Sequence, residues 1–339
     1  MTNKFYLVLS WLLLITACTP DINGTIVPAQ SYPASGGANL PTARSGAPVF
    51  GHIIVVVMEN LDLATAEKLP TFKGLMQQYA VTRNYSAITH PSLPNHVALI
   101  SGDTYGFGHT CTPGPDCHVA GTSNNLPDEL EAAGLTWKAY LEGMPEPCTT
   151  HDAGKYVVRH NPFVYFDSIR EDPARCSAHD VPFSQFQIDL KTGALPNYAW
   201  IAPDLCNSMH TKCGLFGSRQ LQGEQWLAAF IPQVLASRQF QTDGLLIITF
   251  DEGKGAAGCC GAPGGGNVLT LLISGTSAVK NGGWASDVAY NHYSLLRTIE
   301  DNWGLSHLGN SGNPDVIPMS DFFQKGYGST HLDIRTGGR

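Results

Sequence analysis

Charge is scarce in this chain: Asp, Glu, Lys and Arg make up 14% of 339 residues, and Lys plus Arg number 20 against 28 Asp plus Glu. A formal charge of -8 leaves no basic surface for a phosphate polymer, which excludes a general nucleic-acid binder. A small phosphate ester stays compatible, because metal ions and helix ends reverse the local field. After the N-terminal segment no second long hydrophobic run occurs, and there is no internal repeat. The G-x-x-x-x-G-K-[ST] spacing is also missing, so the glycine-rich stretch 253–266 reads as a mobile loop rather than a nucleotide cradle.

At the N-terminus Lys4 precedes an apolar segment, Phe5 to Ile15, closed by Ile15-Thr16-Ala17-Cys18. The run is short for a membrane span, and the pattern is that of a signal peptide. Ile-Thr-Ala-Cys resembles the bacterial lipoprotein lipobox, which implies cleavage before Cys18 and a lipid on it. The expected product is exported, anchored in the cell envelope through Cys18 and associated with membrane in no other way. Residues 1–18 are thus the signal segment and 19–48, rich in Pro, Ser, Gly and Ala, a flexible tether. Residues 49–326 form one domain with a substantial core, and 327–339 a tail.

Apart from Cys18 there are eight cysteines, and an even number in an exported chain reads as disulfides. Proximity favours Cys111 with Cys117, Cys148 with Cys176, and Cys206 with Cys213. Cys259-Cys260 either form a vicinal bridge or pair elsewhere. A zinc-thiolate site ranks below these pairings, because no C-x-x-C pair is present.

Apolar strands are expected at 52–58, 136–141, 198–202, 245–250 and 268–273, and helices at 66–80, 93–101, 126–134, 222–237 and 290–303. Continuous apolar strands alternating with helices predict an α/β fold with a mainly parallel sheet covered on both faces. Ligands in such sheets bind at the carboxyl ends of the strands. Glu59, Asp204 and Asp251 each follow a predicted strand directly or within two residues, so three chain-distant acids share one rim and point to a metal site. Ser92, just before a Leu-Pro helix start, is placed like an N-cap, where free N–H groups and the positive helix end favour a phosphate or sulfate. A serine hydroxyl needs a base or a metal to act as a nucleophile, and the doublets Glu59-Asn60 and Asp251-Glu252 supply candidates.

Five segments then appear in order: VVVMEN around Glu59-Asn60, THPSLPNH around Ser92, PDLCNSMH from Pro203 to His210, TFDEG from Thr249 to Gly253, and NHYSLLRTIED from Asn291 to Asp301. Together they resemble the bacterial and fungal phosphoesterase family of secreted acid phosphatases and phosphatidylcholine-type phospholipases C, within the alkaline phosphatase superfamily. The resemblance spans nearly the whole domain. It implies an α/β/α sandwich and metal-assisted ester hydrolysis through a phosphorylated hydroxyl. Ser92 matches the nucleophile, and Glu59, Asn60, Asp251 and Glu252 match the residues holding the metal. Carboxylate and amide oxygens suit Ca, Mg or Mn, and nearby imidazoles admit Zn or Fe.

His90 and Asn95 are then expected on phosphate oxygens. His210 and His292 match family histidines that protonate the leaving group or complete a second metal position with Asp204. His160, in RHNPFVYF, resembles a further one. His96 reads as packing or capping, and His118, His151, His179, His307 and His331 as surface residues. Two departures are visible: the first motif continues as Leu61-Asp62-Leu63 without the aromatic residue often found there, and the segment around His210 usually reads NDMHD, whereas here Ser208 and Thr211 replace the two aspartates, which puts a second metal in doubt. The function implied is an exported phosphomonoesterase acting on small phosphate esters. Its alternatives are a phospholipase C-type phosphodiesterase and a non-catalytic lipoprotein that binds phosphorylated ligands.

Overall fold

Seven consecutive residues, His52–Met58, form β1, and every side chain from Ile53 onward is buried. Such a run suits only a strand covered on both faces, and β1 is central to the sheet. The computed structural model describes residues 50–324 apart from 122 and 262. The expected signal segment with Cys18, the tether and the tail lie outside the described residues.

The remaining strands are β2 (Ala80–Thr82), β3 (Tyr85–Ser86), β4 (Trp137–Leu141), β5 (Asp180–Pro182), β6 (Tyr198–Ala202), β7 (Gly244–Phe250), β8 (Leu271–Ser274), β9 (Ala285–Ser286) and β10 (Tyr290–Asn291). Eight of them make one sheet in the order β5-β4-β6-β1-β7-β8-β2-β9, with β3 and β10 paired apart from it. β1 runs parallel to β6 and to β7, with Val56 opposite Ile201 and Met58 opposite Phe250. The residues after Met58 and Phe250 therefore emerge side by side.

β8 is antiparallel to both neighbours, because the chain returns from β7 through a loop without a crossover helix. The architecture is the expected one: a mostly parallel sheet flanked by helices, an α/β/α sandwich. All four proximate disulfides are formed, Cys111–Cys117, Cys148–Cys176, Cys206–Cys213 and the vicinal Cys259–Cys260.

The differences from expectation have local causes. The helix expected over 66–80 is two, Leu63–Ala66 and Pro70–Gln78, because Pro70 has no N–H to continue the first and instead opens the second. The helix expected from 222 starts at Arg219, where the Ser218 hydroxyl accepts the Leu221 N–H. Short strands such as β2, β5 and β9 carry too few residues to show a period. Among the described residues no helix is long and apolar enough to cross a membrane.

Candidate active site

Asp251, directly after β7, and Glu59, directly after β1, are 0% and 1% exposed. Asn60 knits the two ends together: its N–H donates to Asp251 Oδ1 at 3.1 Å, and its side-chain Nδ2 donates to Glu59 Oε2 at 3.1 Å. Its backbone takes a left-handed φ of 55°, which asparagine tolerates better than most side chains.

The helix Ser92–Ser101 aims at this pair. Its cap position is Pro91, so Ser92 is the first helical residue and not the cap, and its hydroxyl makes no capping bond. That leaves Ser92 Oγ 3.1 Å from Glu59 Oε2 and 3.4 Å from Glu252 Oε1. One turn on, the same helix face brings His96 Nε2 to 2.8 Å from Glu59 Oε1. The helix thus addresses both oxygens of one carboxylate. His160 stacks on His96 with ring centroids 5.2 Å apart, and its Nε2 lies 3.3 Å from Glu59 Oε1 without forming a hydrogen bond.

Burial sets the charge of this cluster. It pushes Glu59 up to about 8 and Asp251 well above the carboxylate range, while the neighbouring Glu252 carboxylate raises Glu59 further. Burial pushes His96 down to about 4 and His160 well below the usual imidazole range. Without a cation, protons stay on the acids and off the imidazoles.

Two sets of ligand atoms converge within 4.8 Å, Glu59 with His96 and Asp251, and Glu59 with His160 and His210. Asp251 Oδ2 and His160 Nε2 are buried without a hydrogen-bond partner. Neutral imidazoles and orphaned carboxylate oxygens fit a divalent cation, which would ionise the acids and satisfy those atoms. Carboxylates and imidazoles are both present, a donor set that suits a divalent cation without fixing which one. Cys148, Cys176 and Asp180 also converge, but both sulfurs are held in a disulfide and offer no thiolate.

His90 faces an acceptor at each ring nitrogen, Glu252 Oε2 at 2.7 Å from Nδ1 and the Gly255 carbonyl at 3.0 Å from Nε2. Burial lowers its pKa, but the Gly255 carbonyl and the Glu252 carboxylate outweigh that and raise it. His90 is thereby suited to be the imidazolium of the site. Glu252, lifted to about 7 by burial and the Asp251 charge, is held between His90 and Ser92. The 253–266 loop folds back on the Ala87–Thr89 stretch, and Asp62 Oδ1 accepts the Lys254 and Gly255 N–H groups. A Cβ at position 253 would sit 2.4 Å from Asp62 Oδ1 and displace the carboxylate that holds the Lys254 and Gly255 N–H groups.

Three expected site residues are engaged in contacts with the surrounding chain. Asn95 is buried, with Oδ1 accepting the Ile88 and Thr89 N–H groups and Nδ2 donating to the Thr89 and Pro91 carbonyls. All four of its hydrogen bonds hold the loop before Ser92, and none is left for phosphate. His292 is buried too: Nε2–H donates to the Asp251 carbonyl at 2.6 Å and the Tyr85 hydroxyl donates to Nδ1 at 3.0 Å. It positions the Asp251 backbone and has no nitrogen free for a leaving group. Asp204 Oδ1 accepts the Cys206 and Asn207 N–H groups of its own turn; Asp204 belongs to neither convergent set, although it lines a small cavity together with His160.

His210 stays on the open side, half-buried, with Nδ1 2.8 Å from Thr211 Oγ1 and Nε2 facing Arg159. Ser208 contributes through its main chain, its carbonyl accepting the Glu59 N–H. His96 was legible as a neighbour of Ser92 by its four-residue spacing on one helix. Arg159 and Arg219 carry no local signal. Arg219 donates to the Met209 and Asn60 carbonyls and clamps two residues of positive φ.

The fold is similar to that of a Vibrio parahaemolyticus protein in the alkaline phosphatase superfamily, which superposes with a TM-score of 0.52 at 14% identity, covering 81% of this chain and 72% of its own. Murine ectonucleotide pyrophosphatase/phosphodiesterase 5 gives 0.51 at 11% identity, with 80% of this chain and all of that one covered. Residues 40–306 match the phosphoesterase family, and the chain belongs to it. A Kluyveromyces lactis probable acid phosphatase is 30% identical over 80% of this chain, and an Aspergillus fumigatus acid phosphatase 28% over 83%. The chain spans 62% and 61% of the length of those two relatives. A Mycobacterium tuberculosis phosphatidylinositol-3-phosphatase is 30% identical over 83% of this chain and 85% of its own length.

Proposed function

We propose that this protein is an exported, metal-dependent phosphomonoesterase that works through a phosphoserine on Ser92. The observation that carries the reading is the Ser92 hydroxyl, uncapped at a helix N-terminus and 3.1 Å from Glu59 within a buried acid–imidazole cluster. Glu59, Asp251, His96 and His160 supply the metal donors, with Asn60 and Glu252 beside them, and His210 on the open side. A bound divalent cation lowers the pKa of the serine hydroxyl and neutralises charge on the phosphoryl oxygens.

Ser92 gives its proton to the carboxylate rim, at Glu59 Oε2 or Glu252 Oε1, and its oxygen attacks phosphorus as the ester bond to the alcohol breaks. The positive helix end and the His90 imidazolium face the phosphoryl charge, and the leaving alkoxide takes from the rim the proton that Ser92 gave up. His210, half-buried on the open side, is lowered by burial and by Arg159 and Arg219, so it is neutral, accepts a proton from the water that later frees inorganic phosphate, and returns it to Ser92. Atoms balance: one ester and one water become one alcohol and one phosphate, with Ser92 restored. Replacing Ser92 by alanine should abolish turnover of a chromogenic phosphomonoester, and full retained activity would overturn the reading. Export through the lipobox is checked by mass spectrometry of the mature chain, where an unmodified Cys18 counts against it.

A second reading has one observation in its favour. Leu215 and Phe216, in the segment that joins His210 to the Arg219 helix, are 88% and 90% exposed, which suits a substrate carried on a lipid. The relation to a phosphatidylinositol-3-phosphatase points the same way. Release of phosphate, as against diacylglycerol, from phospholipid vesicles separates lipid phosphatase from phospholipase C.

A further inference from the structure

Among the described residues, the exposed large apolar side chains Tyr105, Ile188 and Ile317 stand singly, as they do on most protein surfaces. Leu215 and Phe216 do not. They are adjacent in sequence and 88% and 90% exposed, and the half-exposed Leu221 extends the patch, its Cδ2 within 3.4 Å of the place a Cβ on Gly217 would take.

Both feet of this tip are fixed. Cys213 is bound to Cys206 by a disulfide and exchanges hydrogen bonds with the Gln222 side chain, its N–H donating to Oε1 at 2.9 Å and its carbonyl accepting from Nε2. At the other foot the Ser218 hydroxyl accepts the Leu221 N–H and opens the helix Arg219–Ala236. Gly214 and Gly217 flank the pair with φ of 89° and 83°, a left-handed backbone that turns the chain out and back. Held in this way, Leu215 and Phe216 are presented without the ordering cost that a free loop meets on binding.

Charge around the tip runs against that of the whole chain. The net charge is -8, yet no Asp or Glu occurs from Leu205 to Gly223, a stretch that holds Lys212 and Arg219. Lys155, 61% exposed, joins this stretch through its carbonyl, which accepts the Leu205 N–H, and Arg159 reaches His210. Asp204 and Asp152 lie beside those two cations, and the first of these acids is buried. His210, on the open side of the candidate active site, belongs to the same acid-free stretch. A rigid apolar tip beside cations is matched to a surface with acyl chains beneath negative headgroups.

We propose that the 214–217 tip docks this domain on an anionic phospholipid bilayer. Leu215 and Phe216 enter the acyl boundary, Lys212 and Lys155 meet the headgroups, and the His210 side of the active site turns to that surface. The lipid proposed on Cys18 would keep the chain at such a surface, so the tip has only to orient it. Docking stands apart from the phosphomonoesterase reading; its consequence, a substrate phosphate carried on a lipid, rests on that reading.

The test uses the full chain with Phe216→Trp as a probe, read against the parent's own six tryptophans. With vesicles of phosphatidylglycerol and phosphatidylcholine, the added emission should shift to the blue and be quenched by brominated acyl chains. Leu215→Ser in that background should lower the insertion equilibrium on the order of 10-fold, and Lys212→Glu about as much at low salt. Pure phosphatidylcholine or added salt should weaken insertion likewise. Absence of quenching, or equal insertion into neutral and anionic vesicles, overturns the proposal. So does a concentration-dependent dimer abolished by Leu215→Ser, which would give the pair to a second copy of the chain. For the consequence, Leu215→Ser combined with Phe216→Ser should cut phosphate release from vesicle-borne phosphatidic acid about 10-fold and leave para-nitrophenyl phosphate turnover within about 3-fold. Equal losses on the two substrates overturn it. If the parent hydrolyses neither, the phosphomonoesterase reading fails, and the quenching still decides the docking.

Discussion

The ends of β1 and β7 and the end of β6 lie on one rim of one sheet, and each is followed by an acid. Their fates differ. At the β1–β7 end, Glu59 and Asp251 are buried, pushed toward their protonated forms, and surrounded by imidazoles, with Asp251 Oδ2 left without a partner. At the β6 end, Asp204 is also buried, but its Oδ1 is occupied by two N–H groups of the following turn, and its own N–H donates to Glu142 Oε2 at 3.0 Å. A carboxylate at a strand end becomes a candidate ligand only where the local backbone does not already satisfy it.

Asp251→Asn should break the first region with the largest effect: a loss of at least ~10³-fold in kcat/KM together with loss of bound metal by elemental analysis. Activity and metal content equal to the parent would place the site elsewhere.

Chelation gives the next largest effect, and its sign follows from the pKa shifts. Glu59 at about 8 and Glu252 at about 7 keep their protons in the folded, metal-free chain where the unfolded chain has lost them, so stability falls as pH rises toward 8. His96 and His292, pushed down to about 4 by burial, act in the opposite sense, but only below their ordinary value of 6.5. Above about 6.5 and up to about 8 the lowered imidazoles are neutral in both states, and the carboxylates act together with the raised His90, all losing stability as pH rises. The chelated protein should lose several degrees of melting temperature across that window, and the metal-loaded protein clearly less, since Glu300, pushed up to about 8 by burial away from the cluster, titrates in both. Parallel pH profiles with and without chelator would contradict a cation on these acids.

The smallest effect sharpens the second region. Asp204→Asn keeps an oxygen that can accept from Cys206 and Asn207, so activity should stay within about 3-fold of the parent. A loss as deep as that of Asp251→Asn would return Asp204 to the metal site.

Local sequence was most informative where a continuous run or a short spacing carries the physics. The apolar strands 52–58, 198–202 and 244–250, the doublets that end two of them, Ser92 before its helix, and the short-range disulfides were all readable on that basis. His96 was readable in principle, since it shares a helix face with Ser92. Asn95 and His292 were not, because a polar residue near a nucleophile looks the same in sequence whether it faces substrate or a carbonyl.

Ser92 itself shows both sides. Its place at a helix start, before a Leu-Pro step and after a strand-rich segment, is a property of the local chain. Whether its hydroxyl caps the helix or meets a carboxylate depended on Pro91 taking the cap and on Glu59 and Glu252 arriving from 33 and 160 residues away. Those contacts are decided by which lone pairs and donors remain after distant strands pair. Hydrogen-bond satisfaction is a sum over the folded neighbourhood, and no window of sequence contains it.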